Sequence, residues 1–302
     1  IDTVFLGTSH VHHQIDPRTF DRCMKEQGFE TNSLNMGCYG MINHEMERFI
    51  HYAFSRTPKL KYIFVSVRFE MPNLVYPFTK RAIWWHDLQE TYYCITDIIK
   101  YDTNTIKKLD MIKAHAHHFA LNVFRLGGWE NIFRKSQPIA KEDLERIAQD
   151  RGYAPLSRTK SGNEEYAKRR KTLLDNLKTW ENERDDLAAA VKANKTISEK
   201  EITPIQWSTI RITNRLIRYL EPKCERVVLF LPPGISTRFP NFLDYCNSNN
   251  VLYYEFNNPL EYPVLYDLEN WGDISHINDV ASEQFSCLMA ERFSASLDQK
   301  VN

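Results

Sequence analysis

The chain lacks several things that would point to common functions. No stretch approaches the ~20 consecutive apolar residues that a membrane-spanning helix requires. There is no charge excess of either sign: 39 basic residues face 39 acidic ones among 302. A nucleic-acid partner needs a basic surplus, so none is expected. The ten glycines form neither a Gly-x-Gly-x-x-Gly fingerprint nor a P-loop, which argues against a nucleotide site. The six cysteines (Cys23, Cys38, Cys94, Cys224, Cys246, Cys287) form no Cys-x-x-Cys pair, which argues against a zinc or dithiol centre. Their spacing specifies no disulfide, and buried free thiols are the simplest expectation. Nothing calls for a cofactor or a metal.

A chain of this length and apolar content can bury a large core. Short continuous apolar runs read as parallel strands covered on both faces. They are Thr3–Leu6, Tyr62–Val67, Arg226–Leu231 and Val251–Phe256, with a shorter one near Thr31–Met36. Between them lie helical signals. Asp16-Pro17 is a helix start, with an N-cap followed by proline at the first helical position, and Gly28 is a stop. Ile42, Met46, Phe49, Ile50, Ala53 and Phe54 recur at helical spacing, as do Ala281, Phe285, Leu288, Met289 and Phe293. A further helix is expected around Phe239–Cys246. Strands alternating with helices predict an α/β fold with a doubly wound, flavodoxin-like sheet of five parallel strands in order 2-1-3-4-5.

Residues 1–74 and 223–302 form this α/β unit, and 75–222 reads as a helical insertion between the third and fourth strands. Within it, Tyr166, Leu173, Trp180 and Leu187 repeat every seven residues from Asn163 to Asn194. Leu177 and Val191 lie on the neighbouring seam, which Arg170 and Arg184 interrupt. This predicts one long helix paired with Trp207–Leu220 as a helical hairpin, serving as a lid, a substrate wall or an oligomerisation element.

Two short blocks carry the chemistry. The first strand ends in Gly7-Thr8-Ser9-His10, so Ser9 sits at the strand's C-terminal edge, where open α/β sheets bind ligands. Near the other end, Asp273-Ile274-Ser275-His276 places a carboxylate and an imidazole three residues apart before the final helix. Serine, histidine and aspartate are the groups that acyl transfer through a serine ester requires. The plainer alternative has Ser9 and Asp273 merely capping helices. His10, His12 and His13 flank the serine on what reads as an irregular turn. His115 and His118 share a helix face, and substrate contact or surface placement is expected for these groups rather than metal binding.

These blocks, in this order, resemble the SGNH (GDSL-like) hydrolase superfamily, with its early G-[DTS]-S and late D-x-x-H. A third block, Asn35-Met36-Gly37-Cys38-Tyr39-Gly40, is similar to that family's Asn-to-Gly element. The resemblance implies a Ser9–His276–Asp273 triad and an oxyanion hole formed by the N–H groups of Ser9 and Gly40, with Gly37 as the alternative to Gly40. The family's G-x-N-D block is absent: the third strand runs into Arg68-Phe69-Glu70, leaving Ser66 or Arg68 as stand-ins for the third donor. This departure looks like the divergent branch of polysaccharide O-acetyltransferases and teichoic-acid D-alanyl-transfer proteins. It implies an esterase or acyltransferase acting on an acylated carbohydrate or cell-surface glycan, with a membrane-bound acyl donor as a partner. His10, Trp84 and Trp85 are the candidate substrate contacts, with core packing the favoured reading for the tryptophans. A non-catalytic glycan-binding or assembly protein is the rival reading. The chain opens Ile1-Asp2-Thr3 without methionine, so a removed leader or anchor and a cell-envelope location are expected, with the cytoplasm as the alternative. The sequence leaves the oligomeric state open.

Overall fold

The computed structural model describes residues 1–57, 59–67, 80–101, 105–124, 141–157, 162–194, 204–235 and 240–298. Five strands form one parallel sheet: β1 (Thr3–Leu6), β2 (Ser33–Asn35), β3 (Tyr62–Ser66), β4 (Arg226–Leu231) and β5 (Leu252–Glu255). Their order is β2-β1-β3-β4-β5, with Thr3 opposite both Ser33 and Tyr62, and Tyr62 opposite Arg226. The chain leaves β1 toward one edge and then turns to the other. This puts the switch point between β1 and β3, and opens a crevice at their C-terminal ends.

Alternating side chains along each strand feed two separate apolar layers. On one face, Phe5, Phe64, Val228, Phe230 and Tyr254 pack with Phe20 and Met24 of α2 (Pro17–Glu26) and with Phe285, Met289 and Phe293 of the final helix. On the other face, Val4, Leu6, Ile63, Val65 and Leu229 pack with Met46 and Ile50 of α3 (Asn43–Arg56). Burying each such side chain stabilises the fold by about 1.5–3 kcal/mol. The start of α2 follows its sequence signal: Asp16 Oδ1 accepts from the Arg18 N–H at 3.0 Å, with Pro17 in the first turn. Just past the helix end, Gly28 takes φ +89°.

One helix was not foreseen. Residues Ser9–Gln14 form α1, capped by Thr8, in place of an irregular turn. Its composition hides it, since only Val11 is aliphatic. Asn35 anchors its far end, donating through Nδ2 to the carbonyls of Val11 (2.6 Å) and Ile15 (2.8 Å).

The described residues of the insertion between β3 and β4 form α4 (Lys80–Trp85), α5 (Leu88–Tyr101), α6 (Thr105–Val123), α7 (Lys141–Gln149), α8 (Gly162–Asp175), α9 (Leu177–Lys192) and α10 (Pro204–Leu220), with turns between them. Two expectations are corrected here. The long helix breaks at Asn176 into α8 and α9. The heptad residues Leu173, Trp180 and Leu187 do form a buried face, but they join the layer of Phe285 and Trp271. Ile212, Leu216, Ile217 and Leu220 of α10 instead pack in the opposite layer beside α3. Among the described residues the two segments therefore cover opposite faces of the sheet and form no hairpin core. The chain closes with α11 (Pro240–Ser248) and α12 (Asp279–Asp298).

A disulfide joins Cys23 of α2 to Cys287 of α12, with Cα atoms 5.4 Å apart. The free-thiol expectation is corrected for this pair. Cys94 and Cys246 are buried thiols outside this disulfide, and Cys38 and Cys224 are half-buried ones. No helix among the described residues is long and apolar enough to cross a membrane.

Candidate active site

The site begins with a tight passage. A Cβ on Gly7 would lie 2.4 Å from Val11 Cγ2 and 2.6 Å from Ser66 Cβ. Only glycine lets β1 turn this closely between α1 and the end of β3. Two residues on, Ser9 opens α1 beyond the C-terminal end of β1 and is half-exposed. The N–H groups in the first turn of a helix have no intrahelical acceptor.

The second component is a self-braced turn after two short 3₁₀ segments, Pro263–Tyr266 and Leu268–Asn270. Asp273 Oδ1 accepts from the backbone N–H groups of Ser275 (2.7 Å) and His276 (2.8 Å). The Gly272 N–H donates back to the His276 carbonyl at 2.8 Å. Asn278, not Asp273, caps α12, its Oδ1 accepting from the Ala281 N–H at 3.1 Å. Asp273 is thus left to the imidazole rather than to a helix end.

That turn meets Ser9. His276 Nε2 lies 2.9 Å from Ser9 Oγ, and Nδ1 lies 3.0 and 3.1 Å from the two oxygens of Asp273. Asp273 and His276 are both buried. Burial alone would push the Asp273 carboxyl up, but hydrogen bonds from the His276 ring and from the N–H groups of Ser275 and His276 hold it well below the usual carboxylate range. An ionised Asp273 can only accept, so Nδ1 carries the proton and Nε2 is left as the acceptor for the Ser9 hydroxyl. Serine hydroxyl, imidazole and carboxylate are in line.

Around this relay, the His10 ring stands 4.8 Å from that of His276, with Nδ1 3.3 Å from Thr8 Oγ1. His13 is buried with its ring 5.5 Å from His276. Its Nδ1 bonds the Ala154 carbonyl, and burial pushes its pKa down to about 3, so the ring is neutral. Among the described residues, no group of three or more His, Cys, Asp or Glu side chains is arranged to hold a metal ion.

The oxyanion candidates divide. The Gly37 N–H is already donated to Asn35 Oδ1 at 2.8 Å. Gly40 is half-buried in the loop after β2, at φ +58°. Ser66 is buried against Gly7, with its Oγ 3.3 Å from where a Gly7 Cβ would be. Arg68 lies outside the described residues.

The tryptophan candidates are corrected in part. Trp85 is only 2% exposed and is stacked on His86 at 3.7 Å and on His44 at 5.9 Å. A ring sealed between two imidazoles offers no face to a sugar. Trp84 is 38% exposed but packs on Phe49 of α3, with the Arg48 guanidinium 5.5 Å from its ring. An aromatic that the sequence reading passed over is better placed. Tyr39, 52% exposed, lies 4.8 Å ring to ring from His13 and 5.4 Å from His12. Its position within the Asn35–Gly40 block was the available signal. Arg169 was also missed: its Nη1 lies 3.3 Å from Asp273 Oδ2.

Comparison of the chain with protein-family models, with curated proteins and with solved structures finds no match.

Proposed function

We propose that this protein is a serine-dependent ester hydrolase or O-acyltransferase that works through Ser9, His276 and Asp273. The observation that carries this reading is the continuous relay from Ser9 Oγ through both ring nitrogens of His276 to Asp273. Ser9 Oγ attacks an ester carbonyl while its proton passes to His276 Nε2. Asp273 stabilises the resulting imidazolium. The tetrahedral intermediate collapses, the C–O bond to the leaving alcohol breaks, and that alcohol takes the proton from Nε2. An acceptor hydroxyl then resolves the acyl-Ser9 ester by the reverse steps. Water as acceptor gives hydrolysis, and a sugar hydroxyl gives transfer.

Backbone N–H groups at Ser9 and Gly40 are the oxyanion donors in this reading, each contributing about 3–4 kcal/mol of transition-state stabilisation. An acylated carbohydrate is the substrate class that the sequence resemblance implies, with acetyl as the acyl group. The exposed Tyr39 ring beside the relay supplies a stacking surface suited to a sugar. The Cys23–Cys287 disulfide fits an oxidising, extracytoplasmic compartment. A non-catalytic glycan binder has no need of a half-exposed Ser9 aimed at a base, and that observation favours the enzyme.

The test is turnover of p-nitrophenyl acetate and release of acetate from an acetylated polysaccharide, by wild type and by Ser9→Ala. Activity in the wild type and its loss in a folded S9A protein support the reading. Equal rates in the two proteins, or no turnover of either substrate, argue for the binder.

A further inference from the structure

The described part of the insertion does more than cover the sheet: helix α8 grips the turn that carries Asp273 and His276. Arg169 Nη1 donates to Asp273 Oδ2 at 3.3 Å, while its Nε is held 3.0 Å from Glu165 Oε1 one turn earlier. The next residue, Arg170, donates from Nη1 to the carbonyls of Leu268 (2.9 Å) and Trp271 (2.5 Å). Tyr166 presses on the same turn, its Cε2 being 3.2 Å from where a Gly272 Cβ would lie. From α9, the Trp180 ring meets the Trp271 ring edge-on at 5.4 Å. Residues from more than 90 positions upstream thus hold 268–273 by a side-chain ion pair, two backbone carbonyls and aromatic packing.

The hydrogen bonds of Asp273 say what the Arg169 contact does. Oδ1 is fixed by the Ser275 and His276 N–H groups, and the imidazole Nδ1 sits almost equidistant from both oxygens. Oδ2 receives no backbone N–H among the bonds described. Besides the imidazole itself, Arg169 is the donor described on Oδ2, so it restrains rotation of the carboxylate plane facing the imidazole. Exposed ion pairs contribute little, but here the Asp273 side chain is buried and only the arginine is partly open.

We propose that Arg169 is a positioning residue for the Ser9–His276–Asp273 relay, delivered by α8 as a clamp on the 268–273 turn. The inference rests on the reading of that relay as catalytic, and it gives the insertion a part in the site itself.

The test measures the rate of covalent labelling of Ser9 by a fluorophosphonate in wild type, Arg169→Ala and Arg169→Lys, with and without methylguanidinium. For R169A, the expected result is a roughly tenfold slower bond-forming step with unchanged probe saturation. R169K recovers part of that rate, and millimolar methylguanidinium restores R169A. A lost packing contact would not respond to an added cation. Wild-type labelling rates in folded R169A overturn the inference and leave the serine mechanism standing. So does a slow R169A that methylguanidinium does not rescue. If R169A fails to fold, R169K decides, with slowed labelling and faster amide exchange at Ser275 and His276 expected, and wild-type values for both refuting the role. No labelling of Ser9 in the wild type overturns both proposals.

Discussion

Lowering the pH from 8 to 5 should cost this protein a substantial part of its stability, because several histidines are buried neutral. His13, His44 and His115 are each at most 5% exposed. Burial is the largest cause of their low pKa values, about 3 for His13, about 4 for His44 and about 3 for His115. The Arg215 charge adds to the effect at His44, and the neighbouring His86 adds to it at His115. In the unfolded chain each imidazole takes up a proton near pH 6.5. Below that pH the unfolded state gains protons that the folded state refuses. Stability is therefore complete above about pH 7 and falls as the pH drops toward the folded pKa values. At pH 5 the loss is about 2 kcal/mol each for His13 and His115, against a typical domain stability of about 5–15 kcal/mol, and it is smaller for His44, whose Nδ1 lies 2.6 Å from Glu90 Oε2. His12, His51 and His118, also lowered chiefly by burial, act in the same direction. Glu47 and Glu90, raised by burial beside Arg215, act in the opposite one and offset part of the loss near pH 5. Asp273 plays no part in this window, since its stabilising charge is lost only below its ordinary pKa. Urea unfolding followed by circular dichroism at half-unit steps from pH 8 to 5 measures the effect. The midpoint should fall steadily below pH 6.5, with net proton uptake on unfolding near pH 5. A midpoint independent of pH across this range would refute the reasoning.

Further predictions concern the site and the crosslink. Gly7→Ala should both destabilise the fold by about 1–3 kcal/mol and impair ester turnover, since its Cβ would collide with Val11 and Ser66; normal melting with full activity would contradict the packing described. Asp273→Asn should lower kcat by about a thousandfold or more with little change in KM, because an amide cannot fix the tautomer of His276 as a carboxylate does. Turnover by the D273N protein within tenfold of wild type would argue against the relay. Replacing Cys23 and Cys287 by serine should reduce stability by about 3–5 kcal/mol, because the bond closes a loop of 264 residues. Urea curves of the double variant and of oxidised wild type measure the difference, and coincident curves would mean that the bond constrains nothing.

The sheet was legible because parallel strands covered on both faces are written as continuous apolar runs. Thr3–Leu6, Tyr62–Val67 and Arg226–Leu231 left no alternative period, and their order followed from the fold class. The start of α2 was legible from Asp16-Pro17, which supplies both a cap and a fixed φ. Helix α1 was not, since Ser-His-Val-His-His-Gln has little intrinsic helical preference and is held by Thr8 at one end and Asn35 at the other. The heptad of Leu173, Trp180 and Leu187 announced a buried face but not its partner: a seam of large apolar residues packs as well on Trp271 as on another helix. Ser9, Asp273 and His276 were visible because the short blocks carry their own turns. Arg169 was hidden in a helix full of charges, where nothing in the local pattern distinguishes the arginine that reaches Asp273, 104 residues away. Trp85 was ambiguous for the converse reason, because an aromatic pair reads the same whether it stacks on a sugar or on buried imidazoles.

The measurement that tests the central claim most directly is peptide mapping by mass spectrometry after treating the folded wild-type protein with a fluorophosphonate. The account predicts one stoichiometric adduct, on Ser9, with labelling lost in Ser9→Ala and greatly slowed in His276→Ala. An unmodified Ser9 in folded protein, or an adduct on another residue with Ser9 untouched, would contradict it.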